Sequence, residues 1–286
     1  MTIPYDSIDP YDGQTSLRQA VDYANQLGGP RTITFTPALA GQTIALSAGW
    51  AGPTDTTVLR VSGNIIIHGP ATGPGVTIAI ENGKQLRPFV VKASGNLTLE
   101  NLTVSGGAPP DYYGGGVISF GALTVRGCTF TGNSAQEAGA ILGVPNAPLL
   151  LIENSTFAGN TAPNLASAIS SGATVTTLRH VTISNNSGAN GTVWLSGSTA
   201  TLTNTIVAGN NIDGVRSSPG TTFTPESTNN LLGPGDSSGL ANGVGGNLVG
   251  VPAANLGLST LHSCSRRTSG PSSMWPVGSR RGFTTT

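Results

Sequence analysis

The sequence repeats itself with a period of 24 to 27 residues, and this period constrains the fold more than any other feature. Five short segments align when the chain is written in register: residues 97–101, 123–127, 150–154, 176–180 and 200–204. An earlier copy lies before a short insertion, so the repeat covers at least residues 63–210. A period of this size indicates a solenoid, because a single unit cannot bury its apolar face without stacked neighbours.

In each copy of the repeat, the short aligned segment ends in a residue type that tolerates a left-handed backbone. These residues are Gly69, Asn101, Gly127, Asn154, His180 and Asn204. Glycine has no Cβ, and Asn and His adopt a positive φ at modest cost. We therefore expect a column of bends, with one bend in every turn of the solenoid.

Apolar and polar residues alternate on both sides of the expected bend, as in strands that bury one face. Leu99 and Val125 face inward before the bend, and Val104 and Phe130 face inward after it. A third short apolar segment, such as residues 116–118, completes each repeat. Three short strands with no helical segment between them predict an all-β fold, a single-stranded right-handed parallel β-helix.

Residues 16–27 have the pattern of an amphipathic helix. Ser16 and Gln19 match a capping box, and apolar residues recur at helical spacing. A helix at this place would cover the open end of a solenoid. We therefore predict an N-terminal cap over residues 1–30, a β-helix over 31–250 and an irregular or disordered tail over 251–286. Asn230, 26 positions after Asn204, indicates that the turns continue beyond residue 210.

The chain carries little charge. It has 13 basic and 13 acidic residues, and charged residues make up 9% of the sequence, against about 25% in average globular proteins. This composition disfavours a nucleic-acid partner, which would require many phosphate-neutralising side chains. No apolar run reaches the roughly 18–20 residues of a membrane helix. We expect a monomer without a membrane span.

Two sets of motifs resemble known bacterial families. Residues 15–20, Thr-Ser-Leu-Arg-Gln-Ala, are similar to the Cys-Ser-Leu-Arg-Glu-Ala signature of secreted right-handed β-helix proteins, although the Cys and the Glu are missing. Residues 114–118 and 130–133 resemble the Gly-Gly-Ala-Ile and Phe-x-x-Asn repeats of polymorphic outer-membrane proteins and autotransporter passengers. The resemblance spans roughly residues 12–250 and implies export to the cell surface rather than an activity. Because the first residues lack a signal-peptide layout, we expect a trimmed or incomplete chain.

The position just before the expected bend carries alternating charges in successive repeats. It contains His68, Glu100, Arg126, Glu153, Arg179 and Thr203. One interpretation is an outward ion-pair ladder that holds the register and contributes roughly 0–1 kcal/mol per pair. The other is a charged strip that binds uronic or sialic sugars. The sequence leaves both open.

Parallel β-helices also include pectate lyases and polygalacturonases, so an enzyme must be considered from its residues. Such lyases need clustered carboxylates that hold calcium and a nearby base, and the hydrolases need close acidic residues. Glu100 and Glu153 share a register but would lie roughly 10 Å apart, two turns of ~4.8 Å, with Arg126 between them. We therefore predict no catalytic residue, and a polysaccharide lyase or glycoside hydrolase is the alternative.

Three aromatic residues are candidates for ligand contacts. Trp194 is expected on the outward side of the third strand, and Tyr112 and Tyr113 lie in an insertion that begins with two prolines. Exposed aromatic rings can stack on sugars or contact a partner protein. Coverage of Trp194 by a loop and ordinary loop packing of the tyrosines are the structural alternatives.

No cofactor and no metal site are predicted. Asp6, Asp9 and Asp12 have a spacing that could suit calcium, but an exposed N-terminal turn that ends in Asp12-Gly13 is the favoured explanation. The histidines are scattered along the chain. Taken together, the sequence predicts a secreted or cell-surface scaffold that adheres to polysaccharides or surface proteins without catalysis.

Overall fold

Three parallel β-sheets wind the chain into a β-helix. The computed structural model describes residues 1–7, 13–49 and 56–252. Each turn contributes one strand to each sheet, and each strand pairs in parallel with the equivalent strand of the next turn. The predicted all-β parallel β-helix with an N-terminal helix is confirmed.

The strands of each sheet follow one another in the order of the turns. The first sheet contains Pro30–Thr34, Asn64–His68, Asn96–Glu100, Ala122–Arg126, Leu149–Glu153, Val175–Arg179, Thr199–Thr203 and Thr222–Phe223. The second contains Thr43–Leu46, Val76–Ile80, Leu102–Ser105, Thr129–Thr131, Thr156–Ala158, Thr182–Ser184, Ile206–Val207, Leu231–Leu232 and Leu248–Val249. The third contains Thr57–Val61, Arg87–Val91, Val117–Ser119, Ile141–Gly143, Ile169–Ser171, Val193–Leu195, Asp213–Ser217 and Gly235–Asp236.

Shorter elements complete the described chain. Strands Thr161–Ala162 and Ser187–Gly188 form a separate two-stranded sheet. One α-helix spans Leu17–Gln26, and 3-10 helices span Pro37–Leu39 and Val244–Gly246. The tail predicted to be irregular lies outside the described residues from position 253 onwards.

The inward-facing side chains of the three sheets form one continuous core. Leu99, Val125 and Ile152 are fully buried and lie in one register on consecutive turns. After the bend, the buried rings of Phe130 and Phe157 stack with their centroids 5.0 Å apart and their planes at 8°. The predicted inward faces on both sides of the bend are confirmed, and the core exists only because adjacent turns stack.

The bends after the first sheet lie in a column with a left-handed backbone. The φ angles are 54° at Asn101, 60° at Gly127, 49° at Asn154, 55° at His180 and 50° at Asn204. Each of these residues donates its backbone N–H to the carbonyl of the next turn, as Asn101 does to Arg126 at 3.0 Å. The bend is therefore part of the hydrogen bonding between turns.

Two residues depart from the predicted column. Gly69 does not have a positive φ; glycine is needed there because a Cβ would lie 2.1 Å from the carbonyl oxygen of Asn101. Asn230 is one position beyond the bend residue of its turn, which is Asn229 with φ 57°. The Asn230 side chain is instead buried and accepts a hydrogen bond from the Thr205 N–H at 3.0 Å.

A second column of asparagines forms a buried side-chain ladder after the second sheet. Each member donates both its backbone N–H and its side-chain amide to the Oδ1 of the next member, at 2.9–3.1 Å. The members, which we call the asparagine ladder, are Asn133, Asn160, Asn186 and Asn210. The Asp213 carboxylate ends the ladder by accepting from the Asn210 backbone N–H at 2.7 Å and from its amide at 2.9 Å.

The N-terminal helix begins at the predicted capping box, in which Ser16 and Gln19 bond reciprocally. Its apolar face covers the first turn, with Leu17 and Val21 buried. Arg18 is also buried and forms an ion pair with Asp6 at 2.6 Å. Asp6 is therefore not in an exposed turn, because its carboxylate is needed to neutralise a buried cation; the other two predicted aspartates of this segment lie outside the described residues.

We expect Asn160→Ala to lower the free energy of unfolding by about 3 kcal/mol, since four buried hydrogen bonds to three residues are lost. Urea denaturation followed by circular dichroism measures this change. The matched control is Asn82→Ala in an exposed turn, which we expect to stay within about 0.5 kcal/mol of the parent protein. Equal effects of the two substitutions would contradict a stabilising role for the ladder.

Candidate binding surfaces

Alternating charges line the end of the first sheet and pair with each other. His68 Nδ1 lies 2.8 Å from Glu100 Oε2, and Arg126 Nη1 lies 3.4 Å from Glu100 Oε1. On the next turns, Arg126 Nε lies 3.0 Å from Glu153 Oε2, and Arg179 Nη1 lies 3.1 Å from Glu153 Oε1. We call these five residues the charge ladder. Each glutamate thus lies between two basic side chains.

The charge ladder neutralises its own acidic groups. The hydrogen bond from Arg126 to Glu153 is the largest of the effects that raise the pKa of Arg126. Arg126 contacts both Glu100 and Glu153, so the two carboxylates do not face each other across a free water site. The geometry is that of an ion-pair ladder; whether this strip also binds acidic sugars stays a prediction.

Tyr112 and Tyr113 lie on the surface of the protein. Their side chains are 43% and 45% exposed, and their rings meet edge to face with centroids 5.2 Å apart. The hydroxyl of Tyr112 accepts a hydrogen bond from Asn164 Nδ2 at 2.5 Å. The pair is therefore held to a residue two turns further along the solenoid and remains open to solvent.

The buried side chain of Arg87 anchors the segment that contains Tyr112 and Tyr113. Arg87 forms an ion pair with Asp111 and donates hydrogen bonds to the backbone oxygens of Gly114, at 2.6 Å, and Tyr113. It also donates to Thr57 Oγ1 at 3.1 Å. Sequence reasoning missed Arg87, whose only signal is a lone cation within an otherwise apolar strand. A buried cation with this many partners holds the loop in one position.

Trp194 is half-buried on the outer face of the third sheet, between Ser170 and Arg216 of the adjacent turns. Ile118 and Leu142 occupy the position of Trp194 on earlier turns of the third sheet, and they pack in a buried cluster with Ala138 and Val90. These two apolar side chains are therefore not exposed alongside Trp194. Ala138 lies in the loop between strands Thr129–Thr131 and Ile141–Gly143, so a loop residue contributes to this cluster.

The comparison with known families agrees with this architecture. Residues 88–247, more than half of the chain, match the family described as right handed beta helix region. The chain belongs to this family. No curated protein matches the chain.

Within the described part of this right-handed β-helix protein, the other reactive groups do not converge on a site. Burial raises the pKa of Cys128 to about 12, so its thiol is not a nucleophile at neutral pH. Partial burial raises the pKa of Glu137. His180 lies at a bend. Across residues 1–7, 13–49 and 56–252, no three His, Cys, Asp or Glu residues are grouped so that they could hold a metal ion.

The structure brings the predicted ladder residues together but separates them from the aromatic ones, which lie on the third sheet and its loops. Among the described residues of this β-helix protein, no helix is long and apolar enough to cross a bilayer.

We expect Arg126→Ala to lower the free energy of unfolding by about 1 kcal/mol or less, because its two ion pairs are partly exposed. The loss should shrink in 1 M NaCl, where the Debye length is about 3 Å. Denaturation at low and high salt measures both effects. Arg31→Ala, at an exposed position of the first strand, is the matched control. A large loss that does not depend on salt would contradict the ladder interpretation.

Proposed function

We propose that this right-handed β-helix protein is a secreted or cell-surface scaffold that binds polysaccharide without cleaving it. The observation that carries the proposal is the exposed tyrosine pair at Tyr112 and Tyr113, anchored by the buried Arg87. Aromatic rings held in one place can stack on sugar rings with little loss of conformational entropy on binding.

The charge ladder supports the same proposal because its basic side chains are already paired and are not free to bind an acidic ligand. Its arginines are engaged with Glu100 and Glu153, so an acidic ligand would have to displace existing ion pairs. A surface of aromatic and neutral polar groups has no such competition. The resemblance of residues 15–20 and 114–118 to exported bacterial β-helix proteins supports a position outside the cell.

Retention on a glycan array tests the proposal. We expect the parent protein to be retained on at least one polysaccharide, and the double variant Tyr112→Ala, Tyr113→Ala to bind about tenfold more weakly, equivalent to ~1.4 kcal/mol of lost stacking. Arg126→Ala is the control and should bind as the parent protein does. Absence of retention on every glycan would contradict the proposal.

A second measurement separates binding from catalysis. The parent protein is incubated with polygalacturonate, with and without calcium, while the absorbance of the unsaturated product and the reducing ends are followed. We expect no product. Calcium-dependent formation of an unsaturated product would favour the lyase alternative, and new reducing ends without it would favour a hydrolase.

A further inference from the structure

A row of neutral amide side chains runs along the solenoid away from the tyrosine pair. Gln136, Asn164 and Asn190 lie on three consecutive turns and are exposed. The Asn164 backbone N–H bonds to the Gln136 carbonyl at 3.0 Å, and Asn190 Nδ2 bonds to the Asn164 carbonyl at 2.8 Å. We call these three residues the amide row. These hydrogen bonds link the three residues from turn to turn along the axis.

An aromatic residue lies near each end of the amide row, Tyr112 one turn before Gln136 and Trp194 on the same turn as Asn190. On the Tyr112 side, the hydroxyl accepts a hydrogen bond at 2.5 Å from Nδ2 of Asn164, the middle member of the row, and the same Nδ2 lies 3.4 Å from Gln136 Oε1. At the other end, Arg216 Nη1 lies 3.4 Å from Asn190 Oδ1, and Arg216 pairs with Trp194 in the third sheet. Tyr112 and Trp194 are three turns apart, which corresponds to about 14 Å at ~4.8 Å per turn.

The amide row keeps hydrogen-bonding capacity for a ligand. Among the described residues, Gln136 Nε2 and Asn164 Oδ1 make no hydrogen bond, and neither does the proton of the Tyr112 hydroxyl. These groups include both donors and acceptors, as do the hydroxyls of a sugar. Aromatic faces with a few fixed polar groups are the usual composition of a ligand site.

The charges around the amide row favour a neutral ligand. Glu137 follows Gln136 directly and pairs with Tyr113 across the turns, so a carboxylated sugar at this place would meet an acidic side chain. Asp111, the other acidic group of the segment, is already paired with the buried Arg87. The cation Arg216 lies beyond the far end of the amide row and contacts Asn190.

We propose that a linear neutral polysaccharide lies along the amide row, parallel to the solenoid axis, from the tyrosine pair to Trp194. The amides bind its hydroxyls, and the aromatic residues contact its sugar rings at the two ends. This inference rests on the proposed function and adds the ligand's class, its direction and the residues that select it.

Isothermal titration calorimetry with defined oligosaccharides tests the inference. The probes are cellohexaose and mannohexaose, their disaccharides, and hexagalacturonate. We expect one neutral hexasaccharide to bind at least about tenfold more tightly than its disaccharide, because only the longer chain spans the row. Hexagalacturonate should bind more weakly than that neutral chain. Equal affinity for the two chain lengths, or tighter binding of hexagalacturonate, would overturn the inference.

Variants of the amide row assign the contacts. We expect Gln136→Ala combined with Asn164→Ala to weaken hexasaccharide binding about tenfold, and Asn190→Ala to weaken hexasaccharide binding but not disaccharide binding at the tyrosine end. Asn82→Ala, in an exposed turn, is the matched control. Thermal unfolding verifies that each variant is folded, and Asn164→Ser serves in place of Asn164→Ala if that variant is not.

The outcomes separate this inference from the proposed function. If glycan retention is lost with the tyrosine variant but not with the amide variants, the protein binds glycans and the amide row does not contribute. If no glycan is retained by the parent protein, both proposals are wrong. If the amide variants weaken the binding of the hexasaccharide but not of the disaccharide, the result supports both proposals.

Discussion

The stacking of one turn on the next in a constant register is the constraint on which the rest of the structure depends. Most of this register is fixed by the backbone hydrogen bonds between parallel strands. The asparagine ladder adds buried side-chain hydrogen bonds, in which Asn133, Asn160 and Asn186 satisfy each other's amides. Buried amides are costly without partners, so a shift of one turn by a single residue would leave several polar groups unpaired. The ladder therefore specifies register as well as contributing to stability.

A rigid solenoid places side chains from distant parts of the chain at repeating positions on its surface. The charge ladder and the amide row are both built in this way, from residues about one repeat apart. The two rows differ in the polar groups that remain available to a ligand. The charged groups of the charge ladder pair with each other, whereas the amide row keeps donors and acceptors that are unpaired within the described residues. The segment that carries Tyr112 differs again, because the buried Arg87 holds it in addition to the backbone pairing of Tyr113 with Glu137 on the next turn.

Residues of the candidate surfaces could be predicted from the sequence to different degrees. The charge ladder was predictable because its residues occupy the same position in each repeat. The amide row was not recognised, since Gln136, Asn164 and Asn190 lie in loops where the repeat length varies and no strand alternation marks the register. Trp194 was placed on the correct face, but the burial of Ile118 and Leu142 beside it depends on a loop folding over them.

Periodic features of this protein follow from the sequence alone: three strands per turn, bends at residues that tolerate a positive φ, and an inward apolar face. They are local or repeat in every turn, so one correct alignment predicts them all. Tertiary structure decides the features that occur once. The ion pair of Arg18 with Asp6, the anchoring by Arg87 and the end of the asparagine ladder at Asp213 each join residues outside the repeat pattern. Buried charges of this kind are placed by the need for a partner in the folded chain, and no sequence period records that need.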